Sequence, residues 1–528
     1  MATYASRPAW ELRARSVIDA RIAVPLGLGL LVAVSLLLRS PKLDIGFWID
    51  EGLSVGIADR GIADIPGTLR LDGSPPLYYM LLHFWLGLAG RGEEATRALS
   101  LLLALIAIPV AWWGARMLFG ERAGWIAAVL AALNPFLTHY AQEARMYALV
   151  IVLGLVACVS FVRAFAGEDP RPARRWIASL ALSVAALLYT HNWGLFFGAA
   201  CAAGCVALVV LAPPELRPHR RRDAIIAFGA VAALYAPWLP SLLFQAVHTG
   251  APWGQRPSLD ALSTVPEHLL GTTAGVVLLL AGGSGIVTIG QARQGRRLGP
   301  EARAVTALAI VALLTILLAF AASQASPAWA NRYLAIALPP LLLLAAAGLA
   351  AARGIGLAGL ALVAVIWAGD PPLADKSNVR DVAEAITPSL APGDIVVSTQ
   401  PEQVPVLSYY LPPGLRYATL TGPVKDTGVT DWRNGVERLG RASPEMDLRP
   451  MLDALEPGRR LVLISPTIYS VRRWSAPWTE LVRLRSEQWN QFVSNDHRFR
   501  VIAIEPPSPF PRRRNPVNAT VLIKEASG

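Results

Sequence analysis

The sequence predicts a polytopic α-helical membrane protein with about 11 transmembrane helices and a C-terminal soluble α/β domain. The chain has 528 residues, of which 54% are hydrophobic and only 16% are charged, whereas soluble domains carry about 25% charged residues. The deficit is confined to residues 22–370, where long apolar runs alternate with short polar connections. We therefore predict a transmembrane module over residues 1–370 and a soluble domain over residues 371–528.

Eleven apolar runs approach the length of about 20 residues that a transmembrane helix needs. They lie near residues 22–39, 97–116, 123–139, 146–165, 176–190, 193–211, 224–243, 268–290, 303–322, 333–351 and 355–369. The first run follows a basic segment but precedes no small-residue cleavage site, so we interpret it as an uncleaved helix and not a signal peptide. A shorter run, 75–88, is expected to be interfacial or re-entrant, which leaves a long first outer loop over residues 43–96.

The basic residues predict how the chain is oriented. Arginine clusters occur near residues 116–122, 171–175, 217–222 and 293–297. All of them fall on the cytoplasmic side if the N-terminus is cytoplasmic, and the same threading places the C-terminal domain outside the cell membrane. Because these clusters explain the net charge of +11, we exclude a nucleic-acid partner.

The C-terminal part has the pattern of an α/β domain. Apolar residues with helical spacing occupy 379–386, and strand-like runs occupy 395–397, 416–420, 461–464, 500–504 and 519–523. It contains no catalytic or phosphate-binding pattern and no cysteine, which excludes a disulfide framework there.

Polar and aromatic residues collect in the connections predicted to face outward. These are Asp50-Glu51, Gly73 to Tyr79, Tyr140 to Tyr147, His191-Asn192, Gln245 to Glu267 and Asn331-Arg332-Tyr333. Ionisable groups beside a membrane are costly to keep and are therefore usually functional.

Several of these segments resemble the bacterial GT-C glycosyltransferases, and within them the family 39 group called protein mannosyltransferase-like or ArnT-like. The resemblance rests on the following segments in order: Phe47-Trp48-Ile49-Asp50-Glu51, Ser74-Pro75-Pro76-Leu77-Tyr78-Tyr79, Arg97-Ala98-Leu99-Ser100, Gln142-Glu143-Ala144-Arg145-Met146-Tyr147, and Asn331-Arg332-Tyr333 followed by Pro339-Pro340. It covers about residues 20–370. Many relatives have His or Lys where this chain has Ser74.

The resemblance implies a GT-C-like fold and transfer of a hexose or pentose from a polyprenyl-phosphate carrier to an acceptor hydroxyl at the outer face of the membrane, with inversion. The partners would be the lipid-linked donor, the bilayer, and a glycan, lipid or protein acceptor of the cell envelope. The resemblance specifies no definite cofactor, and the question of a divalent metal ion near Asp50 stays open because the sequence shows no complete ligand set.

That reaction assigns candidate roles. The general base would be Asp50 or Glu51, and the resemblance favours Asp50, with the other acid of the pair supporting it. Arg145 and Arg332 would hold the lipid phosphate. The other candidates for contacting the substrate or lipid are Tyr78, Tyr79, Gln142, Glu143 and Tyr333.

Other interpretations remain open for the same residues. The acid pair could begin an interfacial helix, Glu143 and Arg145 could form a surface pair, and Arg332 could extend from a helix end to the interface. At the level of function, the alternatives are a multi-pass transporter and a membrane-anchored binding or assembly protein of the cell envelope. The aliphatic helix centres and the lack of an internal repeat disfavour the transporter.

Overall fold

The computed structural model describes residues 9–167, 174–210, 212–271, 299–369, 376–505 and 515–526, with side chains from Ile22 onward. The first part is helical and the last part is built on a six-stranded sheet.

The described part of the first 145 residues forms seven helices, of which α2 carries the acid pair. They are α1 (Ala9–Arg39), α2 (Ile49–Ala58), α3 (Ile65–Asp72), α4 (Leu77–Ala89), α5 (Glu93–Phe119), α6 (Glu121–Leu133) and α7 (Pro135–Ala141). Helix α4 falls on the predicted run 75–88. Its 13 residues extend about 20 Å, which is less than the hydrocarbon thickness of about 30 Å.

The remaining helices of this part are α8 (Tyr147–Phe161), α9 (Arg174–Thr190), α10 (Gly194–Val210), α11 (Arg217–Tyr235), α12 (Leu239–His248), α13 (Leu259–Ser263), α14 (Val265–Leu270), α15 (Pro300–Ala325), α16 (Leu338–Ala351) and α17 (Arg353–Ala368). Among the described residues, five helical segments are long and apolar enough to cross a membrane: Ile22–Arg39, Glu93–Phe119, Tyr147–Ala166, Arg217–His248 and Pro300–Ala325. The prediction of about 11 spans is not confirmed by this count. The predicted run 268–290 lies mostly outside the described residues.

Prolines break some of the predicted helices. The run 123–139 is two helices, because Pro135 starts α7 and the Asn134 side chain caps it by accepting a hydrogen bond from Leu137 N at 2.8 Å. The run 224–243 bends at a 3₁₀ turn, Ala236–Trp238, before α12 begins. Both predicted runs are therefore divided into separate helices.

The C-terminal part confirms the predicted α/β character. Its strands are β1 (Ile395–Ser398), β2 (Arg416–Thr419), β3 (Gly422–Val424), β4 (Arg460–Pro466), β5 (Phe499–Glu505) and β6 (Val517–Lys524). They pair in the order β3-β2-β1-β4-β6-β5, with β1 parallel to β2 and β4 and the other pairs antiparallel. Five of the six strands were predicted, and the three-residue β3 was not.

Helices cover both faces of the sheet. One face packs on α18 (Val379–Ile386) and α19 (Val404–Tyr410). The other face packs on α20 (Gly435–Arg441), α22 (Arg449–Asp453) and α23 (Pro477–Ser494), and the short helix α21 (Pro444–Asp447) directly precedes α22. Both clusters bury the alternating apolar residues of β1 and β4, so each side of these strands is part of a core.

The acid-bearing helix α2 packs directly against this sheet part. A Cβ atom on Gly52 would lie 2.7 Å from the backbone of Val406 in α19, and one on Gly56 would lie 2.2 Å from the carbonyl oxygen of Gly428. Only glycine permits this approach. The start of α2 is therefore held between the helical part and the sheet part.

Candidate active site

The two acids at the start of α2 point in different directions. Successive residues on a helix diverge by about 100°, and the structure directs Asp50 into a cavity while Glu51 turns into the protein. Asp50 is 15% exposed and Glu51 is 1% exposed. The acids therefore stand in different environments although they are neighbours in the chain.

Glu51 forms a buried ion pair with Arg97 of α5. The guanidinium donates from Nε to Oε1 at 2.7 Å and from Nη2 to Oε2 at 2.6 Å, and the backbone N–H of Ala144 donates to Oε1 at 2.9 Å. Burial raises the pKa of the Glu51 carboxyl, but the charge and hydrogen bonds of Arg97, together with Lys376 and the Ala144 N–H, outweigh burial and hold the pKa below its usual value. Arg97 also donates to the carbonyl of Leu43 at 2.7 Å. Glu51 thus joins the first loop to α5 and to the Arg145 segment.

Asp50 lies between two guanidinium groups. Its Oδ2 atom is 3.7 Å from Arg332 Nη2 and 4.0 Å from Arg145 Nε. Among the described residues, this oxygen has no hydrogen-bond partner, and neither does the Nε atom of either arginine. The charges attract each other, but the described residues do not use the full hydrogen-bonding capacity of these groups.

The Arg145 side chain is held by residues of α2 and α4. Its Nη1 atom donates to the Tyr79 hydroxyl at 3.1 Å and lies 3.4 Å from the Ser54 hydroxyl, while its carbonyl accepts a hydrogen bond from Ser100 Oγ at 3.1 Å. Burial lowers the pKa of Arg145, but Tyr79, Asp50, Tyr147 and Asp72 together outweigh burial and hold the pKa well above its usual value. Arg145 therefore stays charged.

Arg332 approaches Asp50 from the 3₁₀ helix Asn331–Ile336. Its guanidinium lies over the ring of Tyr333 at 5.4 Å and at 6.0 Å from that of Trp48. The Tyr333 ring packs edge-on against His191 at 4.7 Å. Burial and the two arginines lower the pKa of His191 to about 3, so its imidazole is neutral at neutral pH and does not add to the positive charge.

Three predicted residues make contacts away from the cavity. The Tyr78 hydroxyl lies 3.2 Å from Ser100 Oγ. Gln142 Nε2 donates to the carbonyls of Arg39 and Pro41 at 2.8 and 2.7 Å, which joins α1 to the segment before α8. Glu143 accepts a hydrogen bond from Lys376 Nζ at 2.6 Å, and both side chains are buried. This last pair connects the helical part to the start of the sheet part.

The cavity beside Asp50 has a volume of about 560 Å³. Of the predicted residues, Asp50, Arg145, Arg332 and Tyr333 line it, whereas Glu51, Tyr78, Tyr79, Gln142 and Glu143 do not. Leu195, Phe196 and Leu242 form an apolar side within the helical part, and Gln400, Glu402, Trp432, Trp474, Thr479 and Asn515 come from the sheet part. Such a space suits a ligand with an apolar portion and a polar head.

Several residues at or behind the cavity were not among the predicted site residues. Arg97 belongs to one of the motifs that carry the resemblance, so the sequence held a signal for it. Asp72 lines the cavity, and burial raises the pKa of its carboxyl; its position two residues before Ser74 was the available signal. Glu402 lies in a part of the chain without a recognisable motif, so no signal in the sequence marks it.

The donor set around Asp50 does not fit a divalent metal ion. The nearest charged groups are the Arg145 and Arg332 guanidiniums, which cannot bind a cation. In the part of the chain that the structure describes, no three His, Cys, Asp or Glu side chains come together as a ligand group.

Comparison with known proteins supports the resemblance drawn from the motifs. Residues 73–240 match the family model for dolichyl-phosphate-mannose-protein mannosyltransferase. ArnT from Cupriavidus metallidurans has a similar structure in the apo state, with a TM-score of 0.62 and 14% identity over 95% of this chain and 98% of ArnT. No curated protein sequence is significantly similar to the chain.

Two further structures show the same fold. ArnT bound to undecaprenyl phosphate matches with a TM-score of 0.59 and 13% identity over 94% of this chain and 97% of that chain. The oligosaccharyltransferase of Archaeoglobus fulgidus, tethered with an acceptor peptide, matches with a TM-score of 0.51 and 13% identity over 87% and 71%. The chain thus has the GT-C glycosyltransferase fold, and the resemblance to the protein mannosyltransferase-like and ArnT-like group is confirmed.

Proposed function

We propose that the chain is a membrane glycosyltransferase that moves a sugar from a polyprenyl-phosphate carrier to an acceptor hydroxyl at the outer face of the membrane, with inversion. The observation that carries the proposal is the meeting of Asp50, Arg145 and Arg332 at one cavity, with hydrogen-bonding atoms that the described residues leave unused. The family match over residues 73–240 supports the same reaction class.

The arginines suit the phosphate of the lipid carrier. A guanidinium binds phosphate through parallel hydrogen bonds, and two of them neutralise the charge that grows on the phosphate as the sugar departs. The undecaprenyl phosphate bound to the similarly folded ArnT supports a polyprenyl carrier. The apolar side formed by Leu195, Phe196 and Leu242 would accommodate the first part of the lipid chain.

Asp50 suits the role of general base. The acceptor oxygen attacks the anomeric carbon as the bond from that carbon to the phosphate oxygen breaks. The hydroxyl proton passes to Asp50, and the bonding pair leaves with the lipid phosphate beside Arg145 and Arg332. One displacement of this kind inverts the anomeric configuration. Glu51, held by Arg97, would keep α2 in position during the reaction.

The predicted orientation completes the proposal. We propose a cytoplasmic N-terminus and a transmembrane module over residues 1–370, followed by an extracytoplasmic domain over residues 371–528. The positive connections support this orientation. The end of α17 at Ala368 and the start of α18 at Val379 lie on either side of the proposed boundary.

The test is a transfer assay in membranes that contain the protein, using a panel of polyprenyl-phosphate sugars with radiolabelled hexoses and pentoses. We expect label from at least one donor to appear in cell-envelope material, and this transfer to be lost in Asp50→Asn membranes with equal amounts of protein. The proposal is wrong if no donor yields label above that of membranes lacking the protein. Movement of intact sugar across liposomes without release from the carrier would instead support a transporter.

A further inference from the structure

One side of the cavity is rich in tryptophan and comes mainly from the sheet part. We name it the tryptophan wall, and it consists of Trp253, Gln400, Glu402, Trp432 and Trp474. Trp253 lies between α12 and α13, and the other four residues belong to the sheet part. The mechanism proposed above uses none of these side chains.

Packing fixes the aromatic rings of the tryptophan wall. The Trp432 ring contacts Trp253 at 4.6 Å and Trp478 at 4.9 Å. Backbone hydrogen bonds from Trp478 N to Pro252 O at 3.2 Å and from Trp432 N to Leu71 O at 3.1 Å connect these segments. Trp253 and Trp474 are only partly buried, so each keeps part of its ring surface available inside the cavity.

Glu402 is an acceptor held in place by neutral donors. Its carboxylate accepts from Trp478 Nε1 at 3.1 and 3.3 Å and from Gln400 Nε2 at 3.1 Å, and the residue is 7% exposed. No cation pairs with it among the described residues. A carboxylate has about four acceptor positions, so Glu402 retains capacity for hydroxyl groups of a ligand.

The composition of the tryptophan wall indicates the class of ligand. The only arginine or lysine residues among the described residues lining the cavity are Arg145 and Arg332, so the wall has no group to neutralise an anionic acceptor. It also has no aliphatic side chain to cover an acyl chain. Flat aromatic surfaces beside a carboxylate and an amide fit a neutral sugar ring, which has apolar C–H faces and hydroxyl groups at its edge.

We infer that the tryptophan wall is a saccharide subsite for the acceptor. In it, Trp253 and Trp474 contact the C–H faces of a neutral sugar ring while Glu402 accepts hydrogen bonds from its hydroxyls. The inference rests on the proposed function and deepens it, because it narrows the acceptor from a glycan, lipid or protein to a neutral glycan.

The test separates acceptor binding from donor binding. Full-length protein in nanodiscs is prepared as wild type, Trp474→Ala, Trp474→Phe and Glu402→Gln. Val471→Ala and Glu437→Gln serve as controls, because both side chains are exposed on the same part of the protein. Saturation-transfer NMR with neutral hexose and pentose trisaccharides measures saccharide binding, and radiolabelled undecaprenyl phosphate measures carrier binding.

We expect at least one trisaccharide to bind the wild type and the controls. Affinity should fall about tenfold in Trp474→Ala and in Glu402→Gln and recover partly in Trp474→Phe, with carrier binding unchanged in all variants. The inference is overturned if no trisaccharide binds, if the variants bind as the wild type does, or if an acidic peptide or phospholipid vesicles bind the same residues instead. If the wild type binds a trisaccharide but does not bind the carrier, the proposed function is refuted while the saccharide subsite stands.

Discussion

Replacing Asp50 by Asn should separate turnover from donor binding. Asp50 lies 3.7 and 4.0 Å from the two guanidiniums, which corresponds to a gross attraction of about 4 kcal/mol for each pair at an effective dielectric constant of about 20. Removing the carboxylate charge frees Arg145 and Arg332 from this competing anion, so lipid phosphate should bind as well as before or better. Loss of a general base should lower kcat by about 100- to 10,000-fold, which is roughly 3 to 5 kcal/mol of barrier.

The assay measures carrier binding with radiolabelled undecaprenyl phosphate and sugar transfer under saturating donor on the same purified samples. Asp59→Asn is a matched control, because Asp59 follows the same helix α2 and forms an exposed pair with Arg91 at 2.6 Å. An exposed pair contributes only about 0–1 kcal/mol, so this variant should behave as the wild type. If Asp50→Asn retains more than about one tenth of the wild-type kcat, the assignment of the base is refuted.

Three further predictions concern the supports of the site and the threading. Arg145→Ala and Arg332→Ala should each weaken carrier binding about 10- to 100-fold. Replacement of either arginine by Lys should restore only part of the affinity because Lys lacks the planar guanidinium. Unchanged affinity in both alanine variants would exclude a role for these arginines in binding the lipid phosphate. Glu51→Gln should lower stability by about 3–5 kcal/mol by leaving a buried guanidinium uncompensated, seen as a lower Tm. Since the folded-state pKa of the Glu51 carboxyl is depressed, the stability that the Glu51–Arg97 pair gives the wild type is complete above about pH 4.5 and is lost as pH falls through the folded-state pKa. The Gln variant should not show this loss. Gly92→Cys should react with an impermeant maleimide in intact cells, and Glu215→Cys should react only after permeabilisation. The background is low because the three native cysteines are buried, and the reverse labelling pattern would contradict the predicted orientation.

Apolar runs and β-branched runs in the sequence predict many of the helices and strands correctly. Apolar runs identified the helices around α5, α8 and α15, and β-branched runs identified β1 and β4 because strand formers there are buried on both faces. The apolar run 123–139 predicts a single helix, but Pro135 begins a second helix because its ring is compatible with the first turn of a helix and not with the interior. The three-residue strand β3 is too short to give a periodic signal.

Contacts between distant segments could not be predicted in the same way. Glu143 and Lys376 are separated by 233 positions, and nothing local in either segment specifies the other. Asp50 and Arg332 were selected because of motif resemblance and not because spacing brought them together. Glu402 gave no signal at all, since its role depends on which helices pack beside the sheet. Prediction from one sequence therefore ended where the site depends on tertiary packing.

The two-part construction of the cavity has a consequence for how the protein is made. Asp50 and Arg145 leave the ribosome early, Arg332 follows near the end of the helical part, and Trp432 and Trp474 are translated only after most of the chain exists. A nascent chain that ends before Gln400 contains Asp50, Arg145 and Arg332 but none of the lining residues that the sheet part contributes. The cavity can be lined from both parts only after the sheet part has been translated, so the charged cluster precedes the sheet part's share of the tryptophan wall in the order of synthesis.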